Sequence, residues 1–278
     1  VFDAKGIEYP TWDITSEEYV SLIAQLADPS AKIYGGDTPR GPYRAIFQDF
    51  GAFPYSDDST TVEGYLNSEA SVKAYEWLWD VVQTKAAPTP TDLQTLSQGG
   101  TGPVDLFYAG KLAMVTTSPA YMLKAYEQGI NFGIVPEPGV AGNTRYAHAF
   151  SLTASIWKDT EHPEEAWEFL KYYAGPEGQK YLMDHGNFLP SIKSLYQEHP
   201  LYNEEFLQTF YQILELPSSY TWLNSHLCFR AAVINAVSDL WDRILINDIT
   251  RDEIKPMLDS LVPAAQDSLD ECVTRLGN

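Results

Sequence analysis

Capped helical periods alternate with short apolar runs along most of this chain, and that alternation restricts it to helices packed on a sheet. Thr15-Ser16-Glu17-Glu18 reads as a capping box, in which Glu18 stands three residues after Thr15. Tyr19, Leu22, Ile23 and Leu26 follow at helical spacing until Asp28-Pro29 stops the helix. Asn67 or Ser68 caps a second helix, with Val72, Tyr75, Leu78, Trp79 and Val82 facing inward. Ser118-Pro119 opens a third, with Pro at the first helical position, where its missing N–H does no harm. Further helices are expected over 164–173, 176–185, 203–213, 223–246 and 250–276. The apolar runs 112–116, 130–135 and 149–156 read as buried strands. Residues 99–103 are loop-like and too short for a domain linker. The fold class is α/β.

The bulk properties exclude several functions. The chain has 278 residues with 44% hydrophobic content, enough for one large core or two smaller ones. It has no run of about 18 apolar residues, so no transmembrane helix is expected. Val1-Phe2-Asp3-Ala4-Lys5 has neither a basic start nor an apolar run, so either no leader was needed or one has been removed. With 18 Lys and Arg against 38 Asp and Glu, the formal charge is −20. Such a polyanion repels nucleic acid and anionic membrane and argues against a strongly anionic ligand, and solubility is its plainest effect. Cys228 and Cys272 lie in no CxxC pair. One disulfide and two buried thiols both fit the sequence.

Signals for catalysis are absent. His148, His162, His185, His199 and His226 form no HxH, HxxxH or HExxH pattern, so no metal site is expected. No GxSxG elbow and no GxxxxGK[ST] loop is present, and no cofactor is expected. The many carboxylates read as a solvated acidic surface and not as a glycosidase pair. Aromatics are the informative excess, with 7 Trp and 18 Tyr. Core or rim packing accounts for Trp77, Trp79, Trp157, Trp167 and Trp241. Tyr43, Tyr121, Trp222 and His226 instead fall at loops or helix starts, where binding sites are built. Aromatic faces stack on the apolar faces of a pyranose ring while neighbouring polar groups bond its hydroxyls.

Seven segments in order carry a family resemblance. Residues 2–10 (FDAKGIEYP) look like the LFDxAGxxYP opening, and Trp12 with the helix after it resembles TWDEF. Residues 68–72 resemble SPEAV, and 107–114 (FYAGKLAM) match FxxGKxAM most closely of all. Residues 163–171 (PEEAWEFLK) and 186–190 (GNFLP) match a helix and its sequel, and 230–236 resemble a late helix. The chain thus resembles the extracellular solute-binding proteins of ABC sugar importers, the maltose-binding-protein-like family.

The resemblance implies a periplasmic-binding-protein-like fold, two-lobed with a hinge between the lobes, this chain being mostly the C-terminal lobe. Residues 1–148 and 214–278 would form that lobe and 149–213 part of the N-terminal one. Members carry roughly a hundred further residues before the opening motif. The counterpart here would be a separate chain or lie outside this numbering, and 149–213 would then expose apolar surface. Carried over by position, Gly41, Tyr43 and Arg44 fall in a sugar-gripping loop. Tyr121 falls beside an aromatic position after the GKxAM strand. His226 stands where members carry a stacking tryptophan, a role open to Trp222. Arg230 lies one turn further on, and His148 and Phe150 sit at the crossover between lobes.

The function implied is non-covalent capture of a neutral sugar or oligosaccharide and its delivery to an ABC permease. The location implied is the periplasm or the cell surface, with a lipid anchor. The alternatives are a non-sugar solute such as a polyamine, polyol or opine, a carbohydrate-active hydrolase, and a sensor or adhesion module.

Overall fold

A computed structural model of the chain describes residues 1–39, 45–96, 102–148, 154–185, 189–218, 228 and 233–276. The chain forms two compact units. Unit 1 comprises Val1–Thr116, Val135–Ala149 and Leu216–Asn278, and unit 2 comprises Thr117–Ile134 and Phe150–Glu215. The division expected from the resemblance counted 117–134 with the first of these; here that segment lies with 150–215.

Unit 1 holds α1 (Phe2–Lys5), α2 (Ser16–Leu26), α3 (Ala45–Asp49), α4 (Glu69–Gln83), α5 (Pro90–Leu96) and α6 (Pro103–Tyr108). Unit 2 holds α7 (Pro119–Glu127), α8 (Pro163–Ala174), α9 (Pro176–Asp184) and α10 (Glu205–Ile213). The chain then returns to unit 1 for α11 (Asn235–Leu245) and α12 (Ile254–Leu276). No described helix is long and apolar enough to cross a membrane.

Local chemistry starts these helices as the sequence implies. The Thr15 hydroxyl accepts the Glu18 N–H at 3.2 Å, and Glu18 returns a carboxylate to the Thr15 N–H at 2.9 Å. Ser68, not Asn67, caps α4 by accepting the Ser71 N–H at 3.1 Å. Pro119, Pro163 and Pro176 each stand at the start of a helix. A 3₁₀ turn over Arg251–Glu253, capped by Thr250, leads into α12. Of the helix expected over 223–246, the described part is α11, entered through residues 233–234.

The core of unit 1 is the seam between α4, α11 and α12. Tyr75 meets Phe47 and Trp241 there edge to face, and Phe47 and Trp241 meet at a tilt, with ring centroids 5.0–6.5 Å apart. Leu78, Val81, Leu240, Ile244, Ile254 and Leu258 surround them, all buried. The buried face of α4 is Ser71, Ala74, Tyr75, Trp77, Leu78 and Val81. This corrects the expected face: Val72, Trp79 and Val82 sit at the core's edge, partly buried. The Trp indoles fix the shift, because Trp77 Nε1 donates to the Ser16 carbonyl and Trp79 Nε1 to the Ile249 carbonyl, each at 3.0 Å. The disulfide Cys228–Cys272 is formed, joining residue 228 to the last turns of α12.

The expected sheet is the main correction. Among the described residues, pairing is limited to isolated bridges: Thr15–Gly139, Tyr34–Leu112 and Ala147–Ser218 in parallel, and Asp28–Ile33 antiparallel. The run 112–116 begins as a strand, with the Ala113 N–H donating to the Tyr34 carbonyl at 3.0 Å. The Asp37 carboxylate then takes the Thr116 N–H, and the ladder ends. At 130–135 the Ile130 N–H turns back to Ala125 and closes α7. An apolar run makes an extended backbone, but a strand also needs a neighbour to accept its N–H groups. Residues 149–153 of the third run lie outside the described residues.

Unit 2 has a smaller core of Leu123, Phe206, Leu207 and Tyr211, with Phe132 and Tyr196 against it. Its helix α8 buries no residue. Trp157 is 70% exposed and Trp167 50%, so neither has the packed place expected from its pattern. Phe169, Tyr172 and Tyr181 are exposed with them. The 3.6-residue pattern of α8 marks an apolar face, but nothing described covers it.

Candidate functional site

Of the residues singled out from the sequence, Gly41, Tyr43, Arg44, Phe150, Trp222, His226 and Arg230 lie outside the described residues. Tyr121 and His148 lie within them. What the structure does place is the ground on which the segments 40–44, 149–150 and 219–227 stand.

Residues on both sides of 40–44 are anchored. The Tyr34 N–H donates to the Lys111 carbonyl at 2.9 Å and the Gly35 N–H to the Ala86 carbonyl at 2.8 Å. Gly35 approaches α2 so closely that a Cβ would lie 1.9 Å from the Ile23 carbonyl oxygen, so only glycine fits. Asp37 is buried; its carboxylate oxygens accept the Thr116 N–H at 3.1 and 3.2 Å, and its carbonyl accepts the Tyr19 hydroxyl at 2.6 Å. On the far side every residue of α3 is buried. A five-residue helix cannot hold itself together, so Phe47 in the aromatic core is what fixes it.

Residues 135–148 cross unit 1 on hydrogen bonds from several partners. The Gly139 N–H donates to the Ile14 carbonyl at 3.0 Å, and the Ser16 N–H to the Gly139 carbonyl at 2.7 Å. The Arg145 guanidinium donates to the carbonyls of Trp12 and Ile14. Asn143 Nδ2 donates to the Asp49 carbonyl and the Tyr146 N–H to Asp49 Oδ1, both at 2.8 Å. The next residue, Ala147, donates its N–H to the Pro217 carbonyl at 2.8 Å.

These bonds bring three bases together within unit 1. The end of α3 is joined to Tyr146, and Ala147 is joined to the residues that lead into 219–227. Beyond that segment, fully buried Cys228 is held on α12. His148 follows directly, half-buried, with its Nδ1 shielded from solvent. Tyr121 belongs to unit 2, half-buried in the first turn of α7.

The electrostatics at this junction are unusual. Burial pushes the Asp49 carboxyl up to about 7; the Tyr146 N–H and the Arg145 guanidinium oppose the rise, and Glu137 adds to it. Burial likewise raises the Tyr19 phenol, with Asp37 and Glu137 adding to it. Asp37, Asp49 and Arg145 were not singled out from the sequence. The signal for Asp49 was an acid set inside the apolar run Ala45-Ile46-Phe47-Gln48-Asp49-Phe50. Among the described residues no group of three or more His, Cys, Asp or Glu could hold a metal ion.

The model of a family described as bacterial extracellular solute-binding protein matches residues 11–207. Solved structures share the fold at low identity. One is an ABC substrate-binding protein from Listeria monocytogenes in complex with cycloalternan, 22% identical with a TM-score of 0.70, covering 99% of this chain and 67% of that one. Another is a maltose/maltodextrin-binding domain from Bdellovibrio bacteriovorus bound to maltotriose, 20% identical with a TM-score of 0.68, covering 98% and 69%. A third is the GacH receptor of Streptomyces glaucescens, also studied with acarbose, 20% identical with a TM-score of 0.72, covering 96% and 67%. This chain thus spans about two thirds of the length of each.

Proposed function

We propose that this chain, which belongs to the bacterial extracellular solute-binding proteins, captures a neutral sugar or oligosaccharide outside the cytoplasm and hands it to an ABC permease, with no bond made or broken. The observation that carries this reading is the convergence of three segment bases at the Asp49–Tyr146 and Ala147–Pro217 contacts. Residues standing on those bases, Gly41, Tyr43, Arg44, His148, Trp222, His226 and Arg230, would then share one rim of unit 1. Tyr121 and Phe150 belong to unit 2. Each aromatic contact is worth about 0.5–1.5 kcal/mol beyond area burial, and micromolar affinity needs about 8 kcal/mol in all. Several stacked rings with hydrogen bonds to hydroxyls reach that figure. The oligosaccharides held by the similar structures support a sugar over other neutral solutes.

The lobes of this reading are unit 1 as the greater part of the C-terminal lobe and unit 2 as part of the N-terminal one. The exposed aromatic face of α8 is then the seat of a further polypeptide segment, in the same protein or as a separate chain. A lipid anchor would hold the protein at the cell surface. A cationic solute such as a polyamine is a second reading, favoured by the formal charge of −20.

A thermal-shift screen of the full-length protein tests both. A solute that binds only the native state stabilises it by about 2.7 kcal/mol at a hundredfold excess over Kd, several degrees of melting temperature. A shift with maltotriose or another oligosaccharide supports the first reading. A shift with spermidine alone replaces it with the second. No shift across sugars, polyols and polyamines rejects both.

A further inference from the structure

The Asp49 carboxyl is a buried acid for which sugar capture has no use. It is 1% exposed. Oδ1 accepts the Tyr146 N–H at 2.8 Å, while Oδ2 has no hydrogen-bond partner among the described residues. The Asp49 carbonyl accepts Asn143 Nδ2 at 2.8 Å. Both contacts run from the last residue of α3 to a segment more than ninety positions away in sequence. Three residues beyond Tyr146 the chain leaves unit 1 for unit 2.

The charged groups that act on this carboxyl are Glu137 and Arg145, both on the segment packed against α3. Glu137 opposes ionisation, and Arg145 favours it but is already engaged by the Trp12 and Ile14 carbonyls. A buried carboxylate is held comfortably only by two or three donors or a dedicated cation. Here one backbone N–H and a shared guanidinium face burial and a second acid. The neutral acid suffers none of this, since its carbonyl oxygen can still accept the Tyr146 N–H. The anion gains solvation only if residues 143–146 lift away and admit water.

We propose that loss of the proton from Asp49 loosens the clasp between α3 and residues 143–146, so that the stretch of unit 1 leading into unit 2 is tightened in acid and freed in base. This holds whatever the ligand and does not rest on the sugar-binding reading. It gives an extracytoplasmic protein a response to external pH at its inter-unit connection.

Two measurements on the full chain test it. In wild type, the ¹³C resonance of the Asp49 carboxyl is followed from acid to base by NMR. A midpoint near 7 is the expected result, and a midpoint near the ordinary carboxylate value of about 4 overturns the proposal without recourse to any variant. The second is hydrogen exchange at the Tyr146 amide, corrected for the intrinsic pH dependence of exchange. Local opening should rise about tenfold or more from pH 6 to pH 8 in wild type and stay level in Asp49→Asn, whose side-chain oxygen keeps the bond without a charge. Amides in α4 serve as the reference and should not follow. Equal pH dependence in wild type and Asp49→Asn overturns the proposal.

Discussion

Tyr146 donates its backbone N–H to the Asp49 carboxylate at 2.8 Å across 97 positions of sequence, and this bond is where α3 meets the segment leaving unit 1. Its protonation has a consequence for global stability that can be signed. In strong acid both the native and unfolded chains carry the Asp49 proton, and the residue is neutral in its effect. Between about pH 4 and pH 7 the unfolded chain has released that proton while the native one retains it, so stability falls as pH rises. Above 7 both are ionised and the full penalty remains. A shift of about 3 units corresponds to roughly 4 kcal/mol at most. Chemical denaturation of wild type and Asp49→Asn across this range should show the variant gaining on wild type as pH rises. A constant difference between them would show that the carboxyl titrates alike in both states.

The Cys228–Cys272 bond closes a loop with a sequence separation of 44 residues. Chain-entropy reasoning gives a loop of this size about 4 kcal/mol of stabilisation. The double variant Cys228→Ser/Cys272→Ser should lose about 2–4 kcal/mol in urea unfolding. Unchanged stability would mean that the unfolded chain is already compact around this bond.

Tyr43→Ala tests the rim directly. Calorimetry on the full-length protein should show sugar affinity falling more than about tenfold, as loss of a stacking partner together with its buried area requires. The melting temperature without ligand should hardly move. Unchanged affinity removes Tyr43 from the site.

Tyr211 gives a prediction of the opposite sign. Its ring stacks on Tyr196 with centroids 4.1 Å apart, while its buried hydroxyl has no partner among the described residues. Burial pushes that phenol up to about 12. Tyr211→Phe keeps the stack and removes an unsatisfied polar atom, so stability should hold or rise by about 1 kcal/mol. Thermal unfolding that shows a clear loss would reveal a partner for the hydroxyl.

What the sequence disclosed was local chemistry. The Thr15 and Ser68 caps and the three Pro-led helices depend on residues within a turn of one another, and those helices stand where their signals lie. The cysteine pairing was open, because 44 residues of separation make it a tertiary question. Trp157 and Trp167 show the same limit: periodicity says which face of a helix is apolar, and only the surrounding chain says whether that face is covered. The strands failed for a related reason, since the Thr116 N–H is taken by the Asp37 carboxylate and not by a neighbouring backbone. Asp49 escaped notice because its weight comes from Tyr146 and Glu137, neither of them near in sequence.

The burial of the disulfide has one more implication. Cys228 is fully enclosed and Cys272 nearly so, and a dissolved thiolate must touch sulfur to exchange with it. Dithiothreitol can therefore cleave this bond only during moments when unit 1 has come apart around α12. The rate at which thiol appears on the protein, titrated after acid quenching and removal of the reductant, then counts those openings, so the molecule carries its own chemical clock for breathing.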